Sequence, residues 1–115
     1  MKCIECKGEA GLSLVCESCR RTMTNYKFKK ATIAWHNEIT EAAREGDMYR
    51  CFHCTMLFER NRVCGDHFPY SKARRPDLRF DLRNGQTSCM ACNVTNARTR
   101  RAPTEEMFDN FRQVI

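Results

Sequence analysis

No apolar run in this chain approaches the ~20 residues that a membrane-spanning helix needs, and the mean hydropathy is −0.64. A transmembrane helix is therefore excluded. Met1 is followed at once by Lys2 and Cys3 with no apolar stretch behind them, so a secretory signal is not expected. There are no low-complexity tracts and no internal repeats beyond paired cysteines. The 115 residues allow one compact domain, or one domain plus a small metal-held module. A chain this short buries a modest core and often needs a staple.

Cysteine is abundant, and its spacing suggests the staple. Eight of the nine cysteines fall in Cys-x-x-Cys pairs: Cys3/Cys6, Cys16/Cys19, Cys51/Cys54 and Cys89/Cys92. Cys64 stands alone. Disulfide scaffolds belong to oxidising compartments, and nothing here directs the chain to one. Two cysteines separated by two residues can both reach one tetrahedral Zn²⁺ from a tight backbone knuckle, and two knuckles complete a Cys₄ site. The expected cofactors are thus two structural Zn²⁺, one on Cys3, Cys6, Cys16 and Cys19, the other on Cys51, Cys54, Cys89 and Cys92. Redox pairs, scattered buried thiols and an iron–sulfur cluster are the alternatives.

Zinc changes the electrostatics. The formal charge is +6, but each Cys₄ site with its dication carries a net −2, so two sites bring the total to about +2. Overall basicity is then a weak pointer to nucleic acid, and distribution is a better one. Between Asn61 and Arg101 stand nine basic residues (Arg62, Lys72, Arg74, Arg75, Arg79, Arg83, Arg98, Arg100, Arg101). Only three acids share that stretch, Asp66, Asp77 and Asp81. That excess alone equals the excess of the whole chain.

The sequence divides into four parts. Residues 1–21 predict a zinc ribbon or knuckle with almost no core, turned by Gly8 and Gly11 and folded mainly by its metal. Residues 22–46 predict a linking helix over 24–45, with Phe28, Ala31, Trp35, Ile39 and Ala42 on one face. Thr24 or Asn25 would cap its start and Gly46 would end it. Trp35 is expected as the core anchor between the ribbon and the C-terminal part. Lys27, Lys29 and Lys30 stand at the wrong end of the helix dipole, which leaves a solvated face or a phosphate partner as explanations. Residues 47–101 predict strands and loops, with a tight turn at Asn84-Gly85. Residues 102–115 predict a closing helix, with Pro103, a Thr104 cap and an apolar stripe of Met107, Phe108, Phe111, Val114 and Ile115. The fold class expected is a small α+β zinc protein.

The second cysteine quartet is unusual because 34 residues separate its pairs. Inside lies Cys64-Gly65-Asp66-His67-Phe68-Pro69-Tyr70-Ser71, and Asn93 follows Cys92. Adjacent Asp66 and His67 on an extended segment point to opposite faces, so one can hold a cation while the other addresses water. Asn93 can add a second oxygen, and one carboxylate plus one amide suits Mg²⁺ with its retained waters.

The ordered set of Cys-x₂-Cys, Asp-His-x-Pro-x-Ser, and an Asn before Cys-x₂-Cys-Asn resembles the zinc-containing HNH endonucleases, whose site is a ββα-metal fold. The segment LRFDLRNGQTSCMACN (Leu78 to Asn93) looks most like the phage NinG/Rap-type recombination endonucleases. The recombination endonuclease VII family shares the more general pattern. The resemblance covers about residues 51–98 and says nothing of residues 1–50. It implies an HNH ββα-metal unit within 47–101 that hydrolyses DNA phosphodiester bonds. In it His67 is the general base, Asp66 and Asn93 bind one catalytic Mg²⁺ or Mn²⁺, and Asn84 braces the loop and orients the base. Cleavage would leave a 5′-phosphate and a 3′-hydroxyl, with branched recombination intermediates as substrate. Lys72, Arg74, Arg75 and Arg98 become phosphate-contact candidates. Many HNH proteins carry Lys three residues after the terminal Asn; here Asn96 stands there, and nearby Arg98 is the substitute. The implied location is cytoplasmic, in the host cytoplasm if phage-encoded.

Other readings remain open at this level. His67 could join Cys64 as a zinc ligand, since Cys-x-x-His also has metal spacing. His53, inside the third knuckle, reads as a surface or knuckle hydrogen-bonder, Cys64 as a small buried thiol, and His36 has no assigned role. The rival functions are a non-catalytic nucleic-acid-binding zinc protein and a zinc-ribbon adaptor that recruits a protein partner through residues 1–50. A symmetric junction cutter needs two sites, so a homodimer is an expected assembly.

Overall fold

The apolar spacing of Phe28, Ala31, Trp35 and Ile39 produces the longest element of the computed structural model, a helix over Asn25–Glu41. The structure describes residues 1–99. The closing helix expected at 102–115, together with Arg100 and Arg101, lies outside the described residues. Ahead of the long helix a short one, α1 (Glu17–Arg21), starts from the Cys16 sulfur, which accepts the Cys19 N–H at 3.5 Å. The long helix is α2. The Thr24 hydroxyl caps it by accepting the Lys27 N–H at 3.3 Å. Lys27 itself stands 3.8 Å from Glu5, so one of the three misplaced lysines has an internal counter-charge.

α2 stops at Glu41, short of the expected 45. Arg44–Glu45 (β1) leaves the helix path and pairs antiparallel with Met48–Arg50 (β2), and Leu57–Phe58 (β3) adds to β2. Gly46, expected to end the helix, instead occupies the two-residue hairpin turn with φ +66°, a conformation glycine adopts without steric penalty.

A second antiparallel pair carries the rest. Val63–Asp66 (β4) pairs with Gln86–Cys89 (β5), with Val63 opposite Cys89 and Asp66 opposite Gln86. Met90–Thr99 (α3) follows β5 directly. α2 lies across the hairpin. His36 Nδ1 accepts the Gly65 N–H at 3.1 Å, and the Thr87 hydroxyl donates to the Ile39 carbonyl at 3.0 Å. At Gly65 the approach is so close that a Cβ would lie 2.9 Å from both His36 Nδ1 and Trp35 Cζ3.

Asn84-Gly85 is not the tight turn expected. Leu82–Asn84 forms a 3₁₀ turn, and Gly85 is extended at φ −153°. The glycine is there for closeness: a Cβ would lie 2.6 Å from Trp35 Cζ2 and nearer still to Ile39 Cδ1. Gly85→Ala is therefore expected to destabilise the fold by about 1–3 kcal/mol through overpacking, read as a lowered urea midpoint. An unchanged midpoint would show that α2 can move away from the hairpin freely.

The core gathers Cys3, Leu14, Val15, Ala31, Trp35, Ile39, Phe80 and Leu82. Trp35 is 1% exposed, and its indole N–H donates to the Asp81 carbonyl at 3.2 Å. The N-terminal module is thus not the coreless ribbon its sequence suggests. Leu14 N–H donates to the Phe80 carbonyl (3.0 Å) and Leu82 N–H to the Leu12 carbonyl (2.9 Å). Those two bonds stitch the ribbon to the 80–82 segment, and Leu14 and Val15 join the buried cluster that includes Trp35. Burial of such a side chain contributes about 1.5–3 kcal/mol. Among the described residues no helix is long and apolar enough to cross a membrane.

Candidate metal centres and active site

The four knuckles close in pairs. The sulfurs of Cys3, Cys6, Cys16 and Cys19 lie within 4.8 Å of one another, and so do those of Cys51, Cys54, Cys89 and Cys92. Representative separations are 3.7 Å (Cys6 to Cys16) and 4.0 Å (Cys54 to Cys89). A tetrahedral Zn²⁺ with bonds of ~2.3 Å places its sulfurs ~3.8 Å apart, so both quartets could hold zinc. Disulfide bonding is absent among the described cysteines.

Backbone N–H groups prepare both sites for thiolate. Burial opposes ionisation of Cys3, but N–H groups of Cys16, Cys6 and Glu5 outweigh it and bring its pKa to about 6. Burial likewise opposes ionisation of Cys51, and the N–H groups of Cys54, Cys89 and His53 bring it to about 7. The last thiol of each set resists. Cys19 is pushed up to about 12, chiefly by the Cys16 and Cys6 thiols, and Cys92 to about 12, chiefly by Cys89 and then by burial. Four sulfurs at this spacing cannot all ionise alone, and a dication removes that repulsion.

The second quartet closes the base of a strand–strand–helix unit. Cys51 and Cys54 precede β4, Cys89 ends β5, and Cys92 lies in the first turn of α3. Phe52 N–H donates to the Thr87 carbonyl at 2.8 Å, and Cys89 N–H to the Cys51 sulfur at 3.3 Å, so the knuckle is pinned along β5.

Asp66 and His67 diverge as strand alternation requires. Asp66 is buried at the end of β4, with Oδ2 3.5 Å from His53 Nε2 in the knuckle. His67 turns toward α2. Its ring stacks on Trp35 with centroids 4.0 Å apart and planes 4° off parallel, and Nε2 lies 2.9 Å from the Arg79 carbonyl. Burial pushes its pKa down to about 4, against the hydrogen bond to Arg79, so the imidazole is neutral at pH 7. Neither His67 nor Cys64 belongs to a metal-ligand cluster among the described residues. Cys64 is partly exposed rather than buried, and burial raises its pKa.

Asn84 is completely buried and holds Tyr70 at both backbone groups. Its Oδ1 accepts the Tyr70 N–H at 3.0 Å, and its Nδ2 donates to the Tyr70 carbonyl at 2.9 Å. This clamp fixes the chain three residues beyond His67, next to the cis Phe68–Pro69 bond. Asn93 is half-buried in the first turn of α3, beside Cys92. Lys72 and Arg74 are exposed. Arg75 pairs with Asp77 at 2.9 Å and lies over the Tyr70 ring. The Arg98 side chain lies outside the described residues.

His36, unassigned from the sequence, gains a role, and His53, expected as a surface or knuckle hydrogen-bonder, instead has a buried Nε2 with no hydrogen-bond partner among the described residues. His36 receives the Gly65 N–H and docks α2 on β4; burial lowers its pKa, assisted by Arg60, Lys72 and Arg79. Lys72 and Arg79 act in the same direction on His67. His53 faces Asp66. The signal for His53 was its place between Cys51 and Cys54, two members of one quartet, where a side chain is held with the knuckle.

Comparison of the chain with protein-family models, with curated proteins and with solved structures returns no match.

Proposed function

We propose that the protein is a metal-dependent endonuclease of the HNH type that hydrolyses DNA phosphodiester bonds. The observation that carries this reading is the strand–strand–helix unit on the second Cys₄ cluster, with Asp66 and His67 at the end of its first strand. Asp66 and Asn93 would hold a divalent cation, which would supply charge stabilisation where the phosphodiester oxygens gain negative charge. His67 prepares the nucleophile. A carbonyl can only accept, so Nε2 carries the proton toward Arg79 and Nδ1 is the basic nitrogen that takes a proton from water. Asn84 keeps the loop beyond His67 in place through its two bonds to Tyr70. Lys72, Arg74, Arg75 and Arg98 hold flanking phosphates.

A non-catalytic nucleic-acid-binding zinc protein is the second reading. The stacking of His67 on Trp35 favours it, because a purely structural imidazole would be held the same way. Cleavage of linear duplex, single strand, D-loop and four-way junction with Mg²⁺ or Mn²⁺ separates the two. The nuclease reading expects product bearing 5′-phosphate and 3′-hydroxyl, most from the branched substrates. Steeply salt-dependent binding without product would support the binder. Neither binding nor product would point to an adaptor acting through residues 1–50.

A further inference from the structure

Among the described residues His53 Nε2 is buried without a hydrogen-bond partner, with its side chain 14% exposed and facing the carboxylate of Asp66, itself 8% exposed. Such an unpaired polar atom costs about 1–3 kcal/mol. The ring is not loose. It meets Phe52 edge-on at 5.2 Å and Phe68 at 5.3 Å, and the flanking Cys51 and Cys54 belong to the second quartet. The orientation of Nε2 toward Asp66 is therefore fixed by packing.

The separation distinguishes two arrangements. A charge-assisted hydrogen bond between imidazolium and carboxylate closes to about 2.7–2.9 Å. An ion bonded ~2.0–2.2 Å from an imidazole nitrogen and a carboxylate oxygen holds those atoms about 3–3.5 Å apart. The observed 3.5 Å matches the second. We infer that His53 Nε2 and Asp66 Oδ2 are paired ligands of a third, divalent cation, distinct from the two Cys₄ sites. This deepens the nuclease reading and rests on it for the ion's role. An imidazole ligand moves the preference away from Mg²⁺, which favours oxygen, toward Mn²⁺ and later first-row divalent ions. His53 thereby joins the second Cys₄ knuckle to the cation site: the segment that would close the structural zinc also positions the ligand.

The test uses the full chain with both zinc sites loaded, titrated with Mn²⁺ and followed by electron paramagnetic resonance. One Mn²⁺ per chain is expected beyond the two zinc ions, with a ¹⁴N modulation from a bonded imidazole in the pulsed spectrum. Labelling histidine with ¹⁵N must change that modulation. The chain has three histidines, so assignment is direct: His53→Gln should lose the modulation and weaken Mn²⁺ at least about 10-fold, while His36→Gln and His67→Gln keep it. Should His53→Gln lose zinc, the labelled wild type and the other two variants still decide the matter. No bound Mn²⁺, Mn²⁺ without nitrogen modulation, or modulation lost in His67→Gln or His36→Gln alone would overturn the assignment. Nicking assays on the same samples separate the two proposals. Nicking without the nitrogen signal ends the His53 assignment and leaves the nuclease standing; the signal without nicking does the reverse.

Discussion

Stripping both metals is expected to open the hydrophobic core, and the emission of Trp35 should move to the red as water reaches it. Trp35 is the chain's single tryptophan and is 1% exposed, so its spectrum reports one location. The magnitude follows from two comparisons. A structural Zn²⁺ contributes about 10–16 kcal/mol of apparent folding free energy at neutral pH. A small domain has only about 5–15 kcal/mol in total. With both quartets holding zinc, loss of either ion would therefore be enough to unfold the chain. The coupling is physical rather than distant: Cys3 is itself a core residue in contact with the Leu14, Val15 and Trp35 cluster, and the Cys51 sulfur accepts the β5 backbone N–H of Cys89. Without the ions, each quartet also has a thiol raised to about 12 beside one lowered to 6 or 7, so the metal-free cluster repels itself as it ionises. Metal analysis should give two zinc ions per chain. Trp35 emission that stays blue after complete zinc removal, or a count of one or none, would break the account of what holds this fold together.

How much of this was legible beforehand differs between elements, for physical reasons. The quartets were readable because Cys-x-x-Cys spacing is a local geometric demand. α2 was readable because five apolar residues recur at helical steps, and Thr24 marked its start. Its end was not: nothing local distinguishes Gly46 as a helix stop from Gly46 as a hairpin turn, and the pairing of Arg44–Glu45 with Met48–Tyr49 decided it. Gly85 misled in a similar way. Asn-Gly is a turn signal, but here the absent Cβ answers to Trp35 and Ile39, about fifty residues earlier in the chain. The ribbon's share of the core was hidden because Leu14 and Val15 form a two-residue apolar run whose partner, Phe80, lies far along the sequence. At the candidate site, adjacency of Asp66 and His67 predicted their opposite directions. It could not predict what each would meet, since Trp35 and His53 arrive from separate elements.

Asp66→Asn and His67→Ala should each reduce DNA cleavage by about 10²–10⁴-fold, the range in which a positioned general base contributes, while leaving the zinc content at two per chain. The two substitutions act at different points. Asp66→Asn removes the charge that draws the cation and should raise the Mn²⁺ concentration needed for half-maximal nicking. His67→Ala should leave that concentration unchanged, because the ring faces Trp35 and the Arg79 carbonyl rather than His53. Since His67→Ala and His67→Gln both remove the ring stacked on Trp35, an unshifted urea midpoint and two retained zinc ions are the controls for an intact fold. The direct test of the central claim is a nicking assay on supercoiled DNA with the two-zinc protein, with and without Mn²⁺, run beside Asp66→Asn and His67→Gln. Mn²⁺-dependent nicking by the wild type that both variants lose, with two zinc ions retained in all three proteins, is the result predicted here. Intact DNA with the wild type, or variants that cut at the wild-type rate, would contradict it.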